Sequence, residues 1–180
     1  MARRYRSKFR MGPRRTHCFE NYARHPWPIP TRARVIRLPP MQADAVKLRD
    51  FAARYTAAWC SQDPASVAAF YAVEGSLTVN GGTPAVGRNA ITEVARSFMT
   101  ALPDMRVIMD ELLVQGDNRA EYQWTLIGTH TGPGGTGNRV CISGFERWKI
   151  QADGLIACSQ GCFDSAEYQR QLERGVQDSR

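Results

Sequence analysis

The sequence predicts an α+β fold, a cone-shaped curved antiparallel sheet packed against helices. Three observations predict it. Apolar residues recur at helical spacing through residues 43–61 and again through 89–102. From residue 105 onward the pattern changes to alternation in period two, in long runs separated by tight turns. A capped helix then closes the chain. Helices gathered first and strands later, with one strand between, is the order of segregated α+β layers. A chain of 180 residues is long enough for one domain with its own core.

The elements follow in order. Residues 43–61 place Leu48, Phe51, Ala52, Tyr55 and Trp59 on one stripe, with Lys47, Arg49, Asp50 and Arg54 elsewhere. Asp63-Pro64 gives an N-cap and a proline at the first helical position, so a short helix is expected through Phe70. Residues 75–80 read as a strand, and Asn80-Gly81-Gly82 with Pro84 as a turn. A third helix over 89–102 sets Ile91, Val94 and Phe98 on one side and ends before Pro103. Strands 105–114 and 119–130 form a hairpin about Gln115-Gly-Asp-Asn118. The glycine-rich stretch 131–137 leads into strand 139–150, and Asp153-Gly154 turns it into strand 155–163. Asp164 caps the last helix, with Glu167 three residues on as an acidic variant of the capping box.

Charge divides the chain in two. Residues 1–40 hold ten Arg and one Lys against Glu20 alone, a net +10, which leaves −3 for residues 41–180 (13 basic against 16 acidic). Basicity therefore belongs to an appendage, and nucleic-acid contact is expected only non-specifically, through residues 1–40. With Pro26, Pro28, Pro30, Pro39 and Pro40 blocking a long helix, residues 1–41 read as a disordered extension or as sequence ahead of a true start at Met41. The domain is expected over 42–176, with 177–180 as a tail. No run of 18 apolar residues is present, so no membrane span is expected. Five scattered cysteines, an odd count, read as free thiols in a cytoplasmic protein. No structural zinc is expected, and one His in the domain rules against a multi-His metal site. No cofactor is expected either. The loop Thr131-Gly-Pro-Gly-Gly-Thr-Gly137 lacks the Lys-Ser/Thr of a phosphate-binding loop and leads into a strand.

Three polar residues break apolar patterns, and these are the candidate catalytic groups. On strand 139–150 one face carries Val140, Ile142, Gly144, Glu146, Trp148 and Ile150, so Glu146 is a lone acid on a core face. A carboxylate there must be compensated or stay protonated, a condition found at functional pockets. His130 ends the face Ala120, Tyr122, Trp124, Leu126 and Gly128, beside the glycine-rich loop. Tyr55 sits within the apolar stripe of the first helix. Each has an ordinary alternative: a paired acid, a loop anchor, a core phenol bonded to the backbone. Their coincidence points to a small-molecule site, with Trp59, Phe70, Asn80, Trp124 and Trp148 as substrate-binding residues.

The order and spacing of Ala101-Leu-Pro-Asp-Met-Arg-Val107, Trp124-Thr-Leu-Ile-Gly-Thr-His-Thr-Gly132, Ala152-Asp-Gly-Leu-Ile156 and Gly161-Cys-Phe-Asp164 resemble the SnoaL-like branch of the nuclear transport factor 2-like superfamily. The resemblance implies a cone of curved sheet with a deep pocket, and commonly a homodimer. The chain is similar to ketosteroid isomerases at Tyr55, their oxyanion-binding tyrosine, and at Glu146, which aligns with their protonated acid. Their catalytic base falls near Val79 or Asn80, and neither takes a proton. Limonene epoxide hydrolases carry acids and an arginine where this chain has Gln123, Thr125 and Gly161. Polyketide cyclases of the SnoaL type use a His matched by His130 and an acid on the next strand, where Glu146 stands. The resemblance alone does not fix a reaction; with Glu146, Tyr55 and His130 it leads to the expectation of a cofactor-free acid–base enzyme (cyclase, isomerase or dehydratase, hence lyase, type) on an apolar carbonyl compound. The alternative is a non-catalytic ligand-binding or dimeric module.

Overall fold

The computed structural model describes residues 41–116 and 118–177; residues 1–40 of the expected basic extension and 178–180 of the expected tail lie outside them. Helix α1 spans Met41–Cys60 and α2 Pro64–Ala68, followed by strands β1 (Tyr71–Val79) and β2 (Ala85–Val86). Helix α3 (Gly87–Ala101) precedes four long strands: β3 (Arg106–Gly116), β4 (Arg119–Thr129), β5 (Arg139–Ile150) and β6 (Ile156–Phe163). Helix α4 (Ser165–Arg174) ends the fold. This is the predicted α+β architecture, with a curved and unclosed six-stranded sheet of order β2-β1-β6-β5-β4-β3.

Local chemistry accounts for the element ends. The Asp63 carboxylate accepts from the Ala65 amide at 3.1 Å with Pro64 at the first turn. Asp164 accepts from the Glu167 amide at 2.9 Å, which satisfies one orphan N–H of α4. Glu167 turns its carboxylate to Arg170 and Gln171. Positive φ falls at Asn80 and Gly81, in the turn expected there, and at Asn118, in the β3–β4 hairpin.

Two features depart from the sequence reading. Strand β1 begins at Tyr71, four residues before the expected start, and a two-residue strand, β2, pairs back onto it through Ser76 and Leu77. In addition, β1 runs parallel to β6, pairing Leu77 with Ser159 and Val79 with Gly161, while the four long strands pair antiparallel as the sequence predicts. Hairpins set the direction of β3 through β6, but the partner of β1 is some eighty residues away, and no local pattern encodes that choice. Free thiols occur at Cys60, Cys141 and Cys158, while Cys162 is disulfide-bonded, so the free-thiol expectation fails there. Among the described residues no helix is long and apolar enough to cross a membrane.

The sheet has two chemically distinct faces. Along β5 burial alternates as the sequence predicts, with Val140, Ile142, Glu146 and Trp148 inside. The opposite face carries polar pairs: Arg147 with Glu121 at 3.0 Å, and Thr125 between Asp110 and Ser143 at 2.7 and 2.8 Å. Helices α1 and α3 cover the inner face and contribute Tyr55, Trp59, Ile91 and Phe98 to the core and its margin.

Candidate functional site

The inner face brings the acid of β5 into one row with three other strands. Glu146 pairs with Tyr122 of β4 on one side and Gly161 of β6 on the other, and Gly161 pairs in turn with Val79 of β1. The adjacent row is Ala120, Trp148, Ser159 and Leu77. Ser159 and Trp148 therefore lie diagonal to the Glu146 side chain and on the same face, within reach of its carboxylate. Gly161 leaves room opposite it; a methyl group there would meet Glu146 Cγ at 3.6 Å.

Glu146 is buried, 6 % exposed, and its carboxylate is surrounded by neutral donors. Ser159 Oγ donates to Oε2 at 2.6 Å and Trp148 Nε1 to the same oxygen at 3.0 Å. The Tyr55 hydroxyl, from α1, lies 3.0 Å from Oε2 and 3.2 Å from Oε1. Tyr71, from β1, backs it with a hydroxyl–hydroxyl contact of 3.0 Å and itself reaches the carboxylate's hydrogen-bonding shell. Oε2 thus collects three donors, and Oε1 is the less crowded oxygen. Among the described residues Glu146 forms no ion pair.

Two opposing effects act on this acid. Burial penalises the charged form and raises its pKa, while the hydrogen bonds from Ser159, Trp148, Tyr55 and Tyr71 lower it. Burial wins, and Glu146 titrates above the ordinary glutamate range. Tyr55 and Tyr71 are both pushed well above the ordinary phenol value, first by burial and then by the Glu146 charge, so each keeps its proton. Tyr122 is raised for the same leading reason, partly offset by its 2.7 Å hydrogen bond to Thr56.

Trp148 is a positioning group for this cluster. Its indole stacks on Tyr122 at 4.8 Å and 16°, which aims Nε1 at the acid. Replacing Trp148 with Phe removes a donor that favours the ionised carboxylate and should cost about 2–3 kcal/mol. Because the Glu146 pKa then rises further, the deficit should be larger at pH 8 than at pH 5 in urea unfolding. An equal deficit at both would mean that packing alone is lost.

Beside Glu146 lies a cavity of about 50 Å³, room for roughly four waters or one small organic group at about 12 Å³ per water. Its walls are Trp59 of α1, Val94 and Phe98 of α3, Leu77 and Val79 of β1, and Val107 of β3. Tyr122, Trp124, Leu126, Gly161 and Phe163 complete them. Trp124 lies against Gly144, where a methyl group would stand 2.6 Å from its ring. The Trp124 Nε1 is buried with no hydrogen-bond partner among the described residues. Of the lining residues, only Glu146 and Tyr122 carry titratable groups.

The candidates from sequence divide accordingly. Glu146, Trp59 and Trp124 line the cavity, and Tyr55 and Trp148 hold the acid from behind. Phe70 packs edge-on against Phe51 and Tyr55 in the core. Asn80 accepts from the Phe163 amide at 2.9 Å and ties the β1 turn to β6. His130 does not reach the cavity. It lies eight residues along β4 from Tyr122, the partner of Glu146, about 26 Å of strand at roughly 3.3 Å per residue. Its Nδ1 meets Thr136 Oγ1 at 3.2 Å and anchors the glycine-rich loop. Sequence reasoning missed Tyr71 and Ser159. Tyr71 sat outside the expected strand, and Ser159 is an ordinary small polar residue until register places it under the acid.

Comparison with known proteins agrees with this architecture. The family described as SnoaL-like polyketide cyclase matches residues 49–172. No curated protein matches the chain. Among solved structures, a hypothetical protein of ketosteroid isomerase-like fold from Catenulispora acidiphila, in complex with trimethylamine, superposes with a TM-score of 0.61 at 14 % identity. The match covers 69 % of this chain and 92 % of that one. A phenazine biosynthesis-related protein from Pseudomonas aeruginosa gives 0.58 at 17 % identity, covering 77 % and 95 %. An epoxide hydrolase/cyclase-like enzyme of pyran ring formation in salinomycin gives 0.60 at 17 %, covering 69 % and 95 %. These likenesses show the fold. With the family match spanning most of the chain and the inner-face architecture in agreement, the chain belongs to the SnoaL-like polyketide cyclase family.

Proposed function

We propose that the cavity carries cofactor-free acid–base chemistry on a small, largely apolar ligand bearing a carbonyl oxygen, with Glu146 as proton donor and Tyr55 beside it. One observation carries this reading: a buried acid without a counter-cation among the described residues, on the wall of a cavity otherwise lined almost wholly by apolar groups. An acid that keeps its proton above the ordinary glutamate range can donate a hydrogen bond, or the proton itself, to a carbonyl oxygen. Having given it up, Glu146 is also the carboxylate that can take a proton from the adjacent carbon, so one group serves both steps. Isomerisation, dehydration and ring closure all begin this way, and the family description and the cyclase-like neighbour support ring closure. A cavity of about 50 Å³ takes only the reacting end of a larger substrate, whose remainder would extend through the mouth. Homodimer formation belongs to the same reading, supported by Ile108 and Leu113 exposed on edge strand β3.

A second reading, ligand binding without turnover, is supported by the lining itself, which among the described residues holds no second acid or base besides the phenol of Tyr122. Exchange of carbon-bound protons separates the two. Cyclopentanone incubated with the protein in D2O should lose its α-protons, followed by NMR, and should bind in preference to cyclopentene. The exchange should vanish in Glu146→Gln, whose amide N–H can still donate to the ketone oxygen. Preferential binding without exchange would establish the binding module, and no preference at all would remove Glu146 from the site.

A further inference from the structure

The hydrogen-bonding shell of Glu146 is complete in one respect and incomplete in another. Every group directed at the carboxylate is a donor: Tyr55 from α1, Tyr71 from β1, Trp148 on its own strand and Ser159 from β6. Such a shell is organised for a negative charge, yet among the described residues it supplies no positive one. The titratable groups facing Glu146 are the phenols of Tyr55, Tyr71 and Tyr122, and burial keeps all three neutral. The guanidinium of Arg88 is committed to the Tyr71 carbonyl at 2.9 Å, and that of Arg147 pairs with Glu121 on the far face of the sheet. A charge in this position is balanced in one of two ways: it takes a proton, or it takes a cation from the cavity.

The cavity walls favour the second as well as the first. Trp59 and Phe98 meet edge to face at 6.2 Å, Phe98 and Phe163 at 6.1 Å, and Phe163 and Trp124 at 6.1 Å. These four rings form a continuous aromatic arc around a space that ends at the acid. Aromatic faces attract cations through their quadrupole, by more when the cation is desolvated. We infer that the cavity takes small protonated alkylamines as a second ligand class, with the ammonium N–H donating to Glu146 Oε1 and the alkyl group among Trp59, Phe98, Trp124 and Phe163. The inference is independent of turnover. Binding requires the ionised carboxylate, so a proton leaves Glu146 for solvent as the amine enters.

Isopropylammonium chloride and 2-propanol test this as a matched pair of one shape, differing in charge. At pH 8, calorimetric titration of the full chain should show the ammonium binding at least tenfold more tightly than the alcohol. Glu146→Gln should weaken the ammonium at least tenfold and change the alcohol less than threefold. In the wild type alone, ammonium affinity should rise with pH through the titration of Glu146 while alcohol affinity stays level, which keeps the test open if the variant does not fold. Equal affinities for the two probes, no detectable ammonium binding, or ammonium affinity that does not rise with pH would each overturn the inference.

Discussion

Replacing Glu146 with glutamine is expected to lower turnover by about 10²–10⁴-fold, the range for loss of a positioned proton carrier, while the chain stays folded. The amide keeps one acceptor oxygen for Ser159 Oγ and Trp148 Nε1 and turns its NH2 toward Tyr55, so the hydrogen-bond network is largely retained. What disappears is the exchangeable proton. The same variant carries a stability signature that needs no substrate. Because burial raises the folded-state pKa of Glu146, its contribution to stability is fully present below the ordinary glutamate range and is lost as pH rises through the folded value. The stability of the wild type relative to Glu146→Gln should therefore decline with rising pH, measured by urea midpoints across the range. A difference independent of pH would show an acid that folding does not perturb. Unchanged turnover with a pH-dependent difference would leave Glu146 as a structural hub and remove it from the chemistry.

Replacing Gly132 with alanine is expected to cost about 3 kcal/mol or more, the upper end for overpacking where nothing yields. A methyl group at this position would overlap the Thr100 carbonyl oxygen and stand within 3.0 Å of Ala101 Cα. Both obstacles are backbone at the end of α3, and the Gly132 amide donates to the Ala101 carbonyl at 3.2 Å, so the loop cannot retreat without breaking that bond. Gly161→Ala is the control. Its methyl would meet Glu146 Cγ at 3.6 Å and the Thr78 carbonyl at 3.7 Å, ordinary contacts, so stability should change by less than about 1 kcal/mol. Denaturant unfolding of the pair tests the contrast, and similar losses in both would mean that the loop adjusts freely around Gly132.

Gly132 shows how far the sequence could be read. The stretch from Thr131 to Gly137 is legible as a glycine-rich loop that is not a phosphate cradle, from its lack of a Lys-Ser/Thr and the strand that follows. That Gly132 cannot carry a side chain is not legible, because its obstacle is a helix end thirty residues earlier. His130 makes the same point in reverse. Alternation along β4 assigns it to the face of Tyr122 and Trp124, but the strand ends at Thr129, and eight residues of chain separate His130 from the row of the acid. Periodicity reports which side a residue occupies and says nothing of which residues on that side meet.

Local sequence patterns were enough for the α+β class, for nearly every element, for the Asp63 and Asp164 caps and for the inward position of Glu146. These are set by local rules: period, turn chemistry and capping act within a few residues. The tertiary structure alone decided that β1 runs parallel to β6, that Tyr71 and Ser159 join Tyr55 and Trp148 around the acid, and that His130 stays with its loop. Those outcomes depend on strand register and helix placement across up to about ninety residues of chain. A one-residue slip of strand register would have turned the same side chains to the opposite face.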